Sequence, residues 1–433
     1  MRKNFLPILC LLSLFALASC SSGSDPKVAA VKRAVDVARL QLEQAAAEFD
    51  SLPGFPRSLM PKFKVVEPKD WTSGFFPGSL WEGYRLTGDK KLLSEAEKFT
   101  ARLEGIQYYK GTHDLGFMVF CSFGQQQQAL HDKHSAEVIV EASKSLISRC
   151  DPQIGLIRSW DFGEWNYPVI IDNMMNLEML FWASKYTGDP VYRDVAVRHA
   201  DITMKNHFRP DASSYHVVSY NADGTVESRG TFQGYSDSSA WARGQAWGLY
   251  GYTMCYRETG DAKYLKHAER IADFIMHHPN TPADRIPYWD YNAPDIPNAP
   301  RDASAAAIVS SALFEIGRQG VFRLCRNAAG EPFVGCLPRA ERFERGLYPD
   351  AQRRPPACRQ RDRHPAQLRG LLLPRSYRAL PCAARPRPAA DLIPATKNLK
   401  PPIYYETHFD ENFGVLFRGF SPVFHRLSER RHG

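Results

Sequence analysis

The sequence predicts an all-α fold: a toroid of inner and outer helices built from repeated hairpins, with one short β insertion. Three observations predict it. The tripeptide Thr-Gly-Asp recurs at Thr87-Gly88-Asp89, Thr187-Gly188-Asp189 and Thr259-Gly260-Asp261. Each copy follows a run that is apolar on all sides and precedes an amphipathic one, as in IIDNMMNLEMLFWASKYTGDPVYRDVAVRHA. The β-prone stretch SSYHVVSYNADGTVES (213–228) stands apart from this pattern and carries Asp223-Gly224 as its turn.

Each tripeptide reads as the tight turn of a helical hairpin. Gly is the residue expected just past a helix C-terminus, and Asp is an expected N-cap for the next helix. A first helix apolar on all sides is buried, and a second with one apolar stripe covers it. DASAAAIVSSALFEI (302–316) reads as a further inner helix. Such pairs cannot bury their faces singly and must stack, either as an open solenoid or as a closed ring of two layers. The ring is the expectation, with the inner helix ends and loops surrounding one central pocket.

The chain has 433 residues, of which 44% are hydrophobic and 24% charged, as in a soluble globular protein. Arg2 and Lys3 precede an apolar segment over 5–17 that is too short to span a bilayer. Leu17-Ala18-Ser19-Cys20 then resembles a bacterial lipobox. Residues 1–19 are therefore expected to be a signal peptide, Cys20 a lipidated N-terminus and 20–30 a tether to a toroid over 31–316. That predicts a membrane-anchored lipoprotein facing the periplasm. The nine cysteines show neither a disulfide framework nor Cys/His metal spacing, so no metal is expected.

Residues 317–391 differ in kind: 16 Arg, ten Pro, four Cys and no Lys. Six acids leave 16 − 6 = +10, whereas the whole chain is +8, so the remainder sums to −2. The basic character is local, and nucleic acid is not the expected partner of the folded part. The abrupt composition reads as translation out of frame, and 392–433 follows as a segment of uncertain fold.

Asp114, in THDLGFMVFCS, and Asp172, in YPVIIDNMMNLEML, interrupt runs that otherwise read as core. Burying a carboxylate is costly, and burial favours the protonated form, which suits a proton donor. One such Asp reads more readily as a helix N-cap. Two point towards chemistry.

THDLGFM, SWDFGEW, YPVIIDNMMNLEML, SSYHVVSYN, FQGYSDSSAWARGQAWGLYGY and IPYWDYNAPDIPNAPRDASAAAI are long and collinear. Together they resemble the unsaturated glucuronyl hydrolases, glycoside hydrolase family 88, over roughly 65–124 and 135–316. The resemblance implies an (α/α)6 toroid and a hydrolase without metal or cofactor; a monomer is expected. Its substrates would be polysaccharide-lyase products with a 4,5-unsaturated uronic acid at the non-reducing end, of glycosaminoglycan type. Asp172 would protonate C4 and then take a proton from water. Asp114 would orient substrate and, as a second negative charge, favour the proton on Asp172. His216, Gln233 and Arg243 match pocket positions, with Arg243 suited to a carboxylate and equally to a structural salt bridge. Trp71, Trp160 and Trp247 match aromatic walls that stack on sugar rings, though each taken alone reads as core. His113 would support Asp114. Pectin-derived unsaturated rhamnogalacturonyl substrates, a non-catalytic saccharide-binding lipoprotein and an inactive, damaged homologue are the alternatives. Gln125–His134 departs from the pattern beside Asp114, and the Arg/Pro tract stands where the last helices belong.

Overall fold

The computed structural model describes residues 26–58 and 64–318. The signal peptide, Cys20, the Arg/Pro tract beyond Arg318 and the 392–433 segment lie outside the described residues. The order is α1 (Pro26–Phe49), β1 (Phe55–Ser58), β2 (Lys64–Val66), α2 (Phe75–Thr87), α3 (Lys90–Ala101), α4 (Phe123–Leu130) and α5 (Lys133–Ile147). It continues with β3 (Pro168–Ile170), α6 (Leu177–Thr187), α7 (Pro190–Asn206), β4 (Val217–Tyr220), β5 (Val226–Gly230), α8 (Ala242–Thr259), α9 (Ala262–His277) and α10 (Ala303–Arg318). Helix α1 begins inside the stretch expected as a tether, because Pro26 fits a first helical turn and an Ala/Val-rich run follows it.

Every residue of the Thr-Gly-Asp turn has a task. Gly88, Gly188 and Gly260 take left-handed φ of 73°, 76° and 72°. Their N–H groups donate to Tyr84, Ser184 and Tyr256 carbonyls at 2.7, 2.9 and 2.8 Å. Asp89, Asp189 and Asp261 then cap the next helix through the N–H groups of Lys91, Val191 and Lys263, at 2.9, 2.9 and 3.0 Å. The threonine hydroxyl donates back four residues into its own helix, as Thr187 does to Ala183 O at 2.8 Å, and accepts the aspartate N–H. The departure at Gln125–His134 turns out to be a fourth hairpin built the same way. His131 takes the left-handed position at φ 54°, and Asp132 caps α5 through Ser135 N–H at 2.8 Å.

The pairs α2–α3, α6–α7 and α8–α9 thus place a buried helix under an amphipathic one, whereas in α4–α5 the short α4 buries only Phe123 and Gly124 and α5 is the better-buried partner. Helix α8 is buried from Ala242 to Cys255, whereas α9 buries Tyr264, His267, Ala268, Ile271, Ala272 and Ile275 on one stripe. Polar links cross within and between pairs: Trp81 Nε1 to Thr100 Oγ1 at 2.9 Å, and Tyr252 Oη to Ala200 O at 3.0 Å. Arg257 joins three buried helices by meeting Glu178 on α6 at 2.7 Å, Glu315 on α10 at 2.8 Å and its neighbour Glu258 at 2.9 Å.

The β insertion forms as expected with the hairpin turn at Asp223-Gly224, but it is larger than expected. Residues 168–170, which the sequence merges with a helical run, form a third strand. The antiparallel order is β3-β4-β5, with Ile170 opposite Val217. An apolar run of this kind reads alike for a buried strand and a buried helix.

Replacing His131 by Gly should relieve a left-handed side chain and raise stability by about 1 kcal/mol, with Gly188→Ala lowering it similarly. Thermal unfolding of both variants checks this; equal midpoints would show that the turns do not control hairpin stability.

Candidate active site

Asp172 sits in a 3₁₀ turn, Ile171–Met175, immediately after strand β3. The ladder continues one step beyond the strand, with Ile171 N–H donating to His216 O at 3.1 Å. That step brings His216, at the entry to β4, beside Asp172. His216 Nε2 lies 3.6 Å from Asp172 Oδ2, and both residues are buried. On the other side of the ring, His216 Nδ1 accepts the N–H groups of Phe232 and Gln233 at 3.0 and 3.1 Å. Two donors on Nδ1 fix the tautomer with the proton on Nε2, facing the carboxyl. Among the described residues Asp172 Oδ2 is a buried acceptor with no hydrogen-bond partner.

Asp114 lies just before a π-helical turn, Gly116–Phe120, where the sequence suggests a continuous core run. Thr112 Oγ1 donates to its Oδ2 at 2.5 Å, and His113 Nε2 stands 3.1 Å from its Oδ1. Ser159 Oγ accepts Ile170 N–H at 2.9 Å and lies 3.2 Å from His113 Nδ1. His113 thus lies between Ser159 and Asp114.

The two aspartate turns are tied together. One bridge is the Ser159 hydroxyl, between His113 and the strand preceding Asp172. The other is Asn176 Oδ1, which accepts Phe117 N–H at 3.0 Å, while Met118 N–H donates to Asp114 O at 3.0 Å. Beneath them Asn173 Nδ2 lies 3.1 Å from Nε2 of the buried His199, and His199 Nδ1 accepts Ile157 N–H at 3.1 Å. Ser159, Asn173, Asn176 and His199 were not singled out in the sequence, since isolated polar residues of these types carry no spacing signal.

Arg243 is buried at the start of α8. Its Nη1 pairs with Asp302 Oδ2 at 2.9 Å and reaches Ser304 Oγ at 3.1 Å, and the guanidinium lies 4.9 Å from the Trp241 ring centroid. Asp302 also caps α10 through Ala305 N–H at 2.8 Å. The aspartate before an alanine-rich helix is a recognisable N-cap, but its second bond to Arg243 is a tertiary fact. Gln233 is half-buried and contributes its backbone N–H to His216.

The three tryptophans differ. Half-buried Trp71 meets Phe117 edge-on at 5.5 Å, and Phe117 in turn lies 5.2 Å from Trp247, which is fully buried. Trp160 is buried under a cluster of Phe162, Trp165 and Phe232, at 4.9, 5.6 and 5.5 Å, and its other neighbour is His216 at 6.3 Å. No group of three or more metal-ligating side chains occurs among the described residues.

Burial pushes His199 well below the ordinary histidine range, His207 down to about 3 and His267 down to about 4. The folded chain keeps these rings neutral, while the unfolded chain protonates them near pH 6.5. Stability from this source is complete above about pH 6.5 and is lost as pH falls towards the folded values. The thermal midpoint should fall below about pH 6.5, on the order of 1 kcal/mol per pH unit for each ring. A midpoint constant down to about pH 5 would contradict it.

No family model matches the chain. A curated unsaturated glucuronyl hydrolase of Formosa agariphila is 51% identical over 269 residues, 60% of this chain and 67% of that protein. Another from Bacillus sp. is 35% identical over 271 residues, 60% of this chain and 70% of that protein. The crystal structure of an unsaturated glucuronyl hydrolase specific for heparin superposes with a TM-score of 0.65 at 52% identity. It covers 66% of this chain and 78% of the other. The fold is thus the helical toroid of those enzymes.

Proposed function

The chain belongs to the unsaturated glucuronyl hydrolases, and we propose that Asp172 carries out its chemistry on lyase products of glycosaminoglycans. The observation that supports this most directly is the buried Asp172 carboxyl, whose Oδ2 has no hydrogen-bond partner among the described residues and lies 3.6 Å from Nε2 of His216. A terminal 4,5-unsaturated uronic acid is an enol ether. Proton transfer from Asp172 to C4 moves the double-bond electrons to form that C–H bond and leaves an oxocarbenium cation at C5. Water adds to C5, and the Asp172 carboxylate takes its proton. The hemiketal then opens by cleavage of the C5–O5 bond. The hemiacetal left at C1 collapses to an aldehyde, expelling the remaining saccharide as an alcohol. His216 steadies whichever charge state Asp172 passes through, because its proton stays on the nitrogen facing the carboxyl. No step requires a metal or cofactor.

Asp114, held by Thr112 and His113, orients the sugar beside it. Arg243 holds a fixed positive charge near the start of α8 and suits the uronate carboxylate, while Asp302 keeps its guanidinium in place. Half-buried Trp71 and Gln233 would line the walls, with the buried Trp247 and Trp160 packed behind the lining. The relatives named above are all glucuronyl hydrolases, which favours this substrate class over rhamnogalacturonyl fragments.

We further propose that the protein acts as a monomer and is anchored to a bacterial membrane, facing the periplasm, through a lipid on Cys20. Incorporation of labelled fatty acid, absent in Cys20→Ala, checks the anchor.

The ultraviolet absorbance of the conjugated enol ether acid reads the reaction. The protein should abolish it for an unsaturated disaccharide, and Asp172→Asn should slow turnover by roughly 10²–10⁴-fold. Binding of the disaccharide without loss of absorbance would instead make the chain a saccharide-binding module.

A further inference from the structure

Around Trp160 the aromatic cluster has a buried base and an open face. Trp160 is 8% exposed, whereas Phe162 is 55% and Phe232 46% exposed. Two large apolar rings held this open have a cost that packing alone does not recover. They are also held in place. Phe162 stacks on Trp160 with an interplanar angle of 16°, and Phe232 leans on both at 5.5 and 5.9 Å. The Phe162 loop is pinned by Asp161, which Arg149 grips at 3.0 and 3.1 Å. Gly163 has φ 84°, and a Cβ there would meet the Trp165 ring at 2.7 Å, so this loop is shaped to let the indole fold over. The Phe232 loop is pinned by the buried Asp290, which accepts Tyr235 N–H at 2.9 Å and Ser239 Oγ–H at 2.7 Å.

The platform is continuous with the reacting centre. Phe232 N–H is one of the two donors on His216 Nδ1, whose opposite nitrogen faces Asp172. With the terminal unsaturated sugar at Asp172, every further sugar must extend outward from it. We propose that the Phe162 and Phe232 rings form a stacking platform for a pyranose ring of the leaving saccharide, beyond the sugar directly bonded to the unsaturated one. Aromatic rings suit the apolar C–H faces of pyranoses, and rings already immobilised lose little entropy on binding. The platform gives longer lyase products an affinity that disaccharides lack. This inference rests on the reading of Asp172 as the reacting group.

The test is a tryptophan-fluorescence titration with non-sulfated unsaturated tetrasaccharide and disaccharide, in an Asp172→Asn background so that neither is consumed. In that background the tetrasaccharide should bind more tightly. Phe162→Ala should raise the tetrasaccharide-to-disaccharide Kd ratio roughly fivefold, and Phe162→Ala with Phe232→Ala further. Phe162→Tyr should keep the parent ratio, and Phe162→Leu, which retains apolar bulk without an aromatic face, should raise it as alanine does. A ratio unchanged in the alanine and leucine variants overturns the platform. Failure of the unsubstituted protein to turn over the disaccharide would instead count against the hydrolase reading and leaves the binding ratio as a separate result.

Discussion

The antiparallel ladder between Pro168–Ile170 and Val217–Tyr220 is the constraint on which the site depends. Helices alone would set Asp172 and His216 on separate surfaces with their spacing at the mercy of side-chain rotamers. The ladder fixes the two backbones, and its extra bond from Ile171 N–H to His216 O places the histidine opposite the aspartate. The toroid then supplies the surroundings: α8 packs on the 3₁₀ turn that carries Asp172 and on α9 and α10. Gly251 permits that approach, since a Cβ there would meet Met174 Cβ at 2.4 Å.

Around this frame the buried polar groups are assigned one proton at a time. Two backbone N–H groups on Nδ1 decide that His216 holds its hydrogen on Nε2. That choice points the hydrogen at Asp172. Such fixed dipoles are effective in a dry site because they need not reorient as charge develops. The same logic places Arg243 against Asp302, where the pair keeps a buried guanidinium from standing uncompensated.

The legible parts of the sequence are local ones. Thr-Gly-Asp announces a hairpin because all of its bonds fall within a few residues, and the threonine hydroxyl completes a turn that Gly and Asp suggest. The hairpin at His131 escapes notice because its left-handed residue is not glycine. Strand β3 escapes for a different reason: PVIIDNMM is apolar throughout, so burial on both faces removes the alternation that would separate strand from helix. At the site, Asp114, Asp172, His216 and Arg243 stand out through long family-like phrases. Ser159 and Asn176, which tie the aspartate turns together, depend on chain segments far apart in sequence and leave no trace in either. Trp160 was legible as an aromatic wall, but which rings face outward depends on how two distant loops fold over it.

Strands β3 and β4 flank the complete α6–α7 hairpin, Leu177 to Asn206, in the chain. Their pairing closes a loop whose entropy is large for an unstructured chain and much smaller once the intervening helices have folded back on each other. The Thr187-Gly188-Asp189 turn therefore lowers the entropic cost of forming the ladder. Contact-order reasoning sets the local helices ahead of the non-local ladder, and the Asp172–His216 pair with the ladder. A chain with a slow or faulty hairpin would reach a compact, helical state before it acquired an organised centre, so secondary structure and catalytic competence would mature on different timescales.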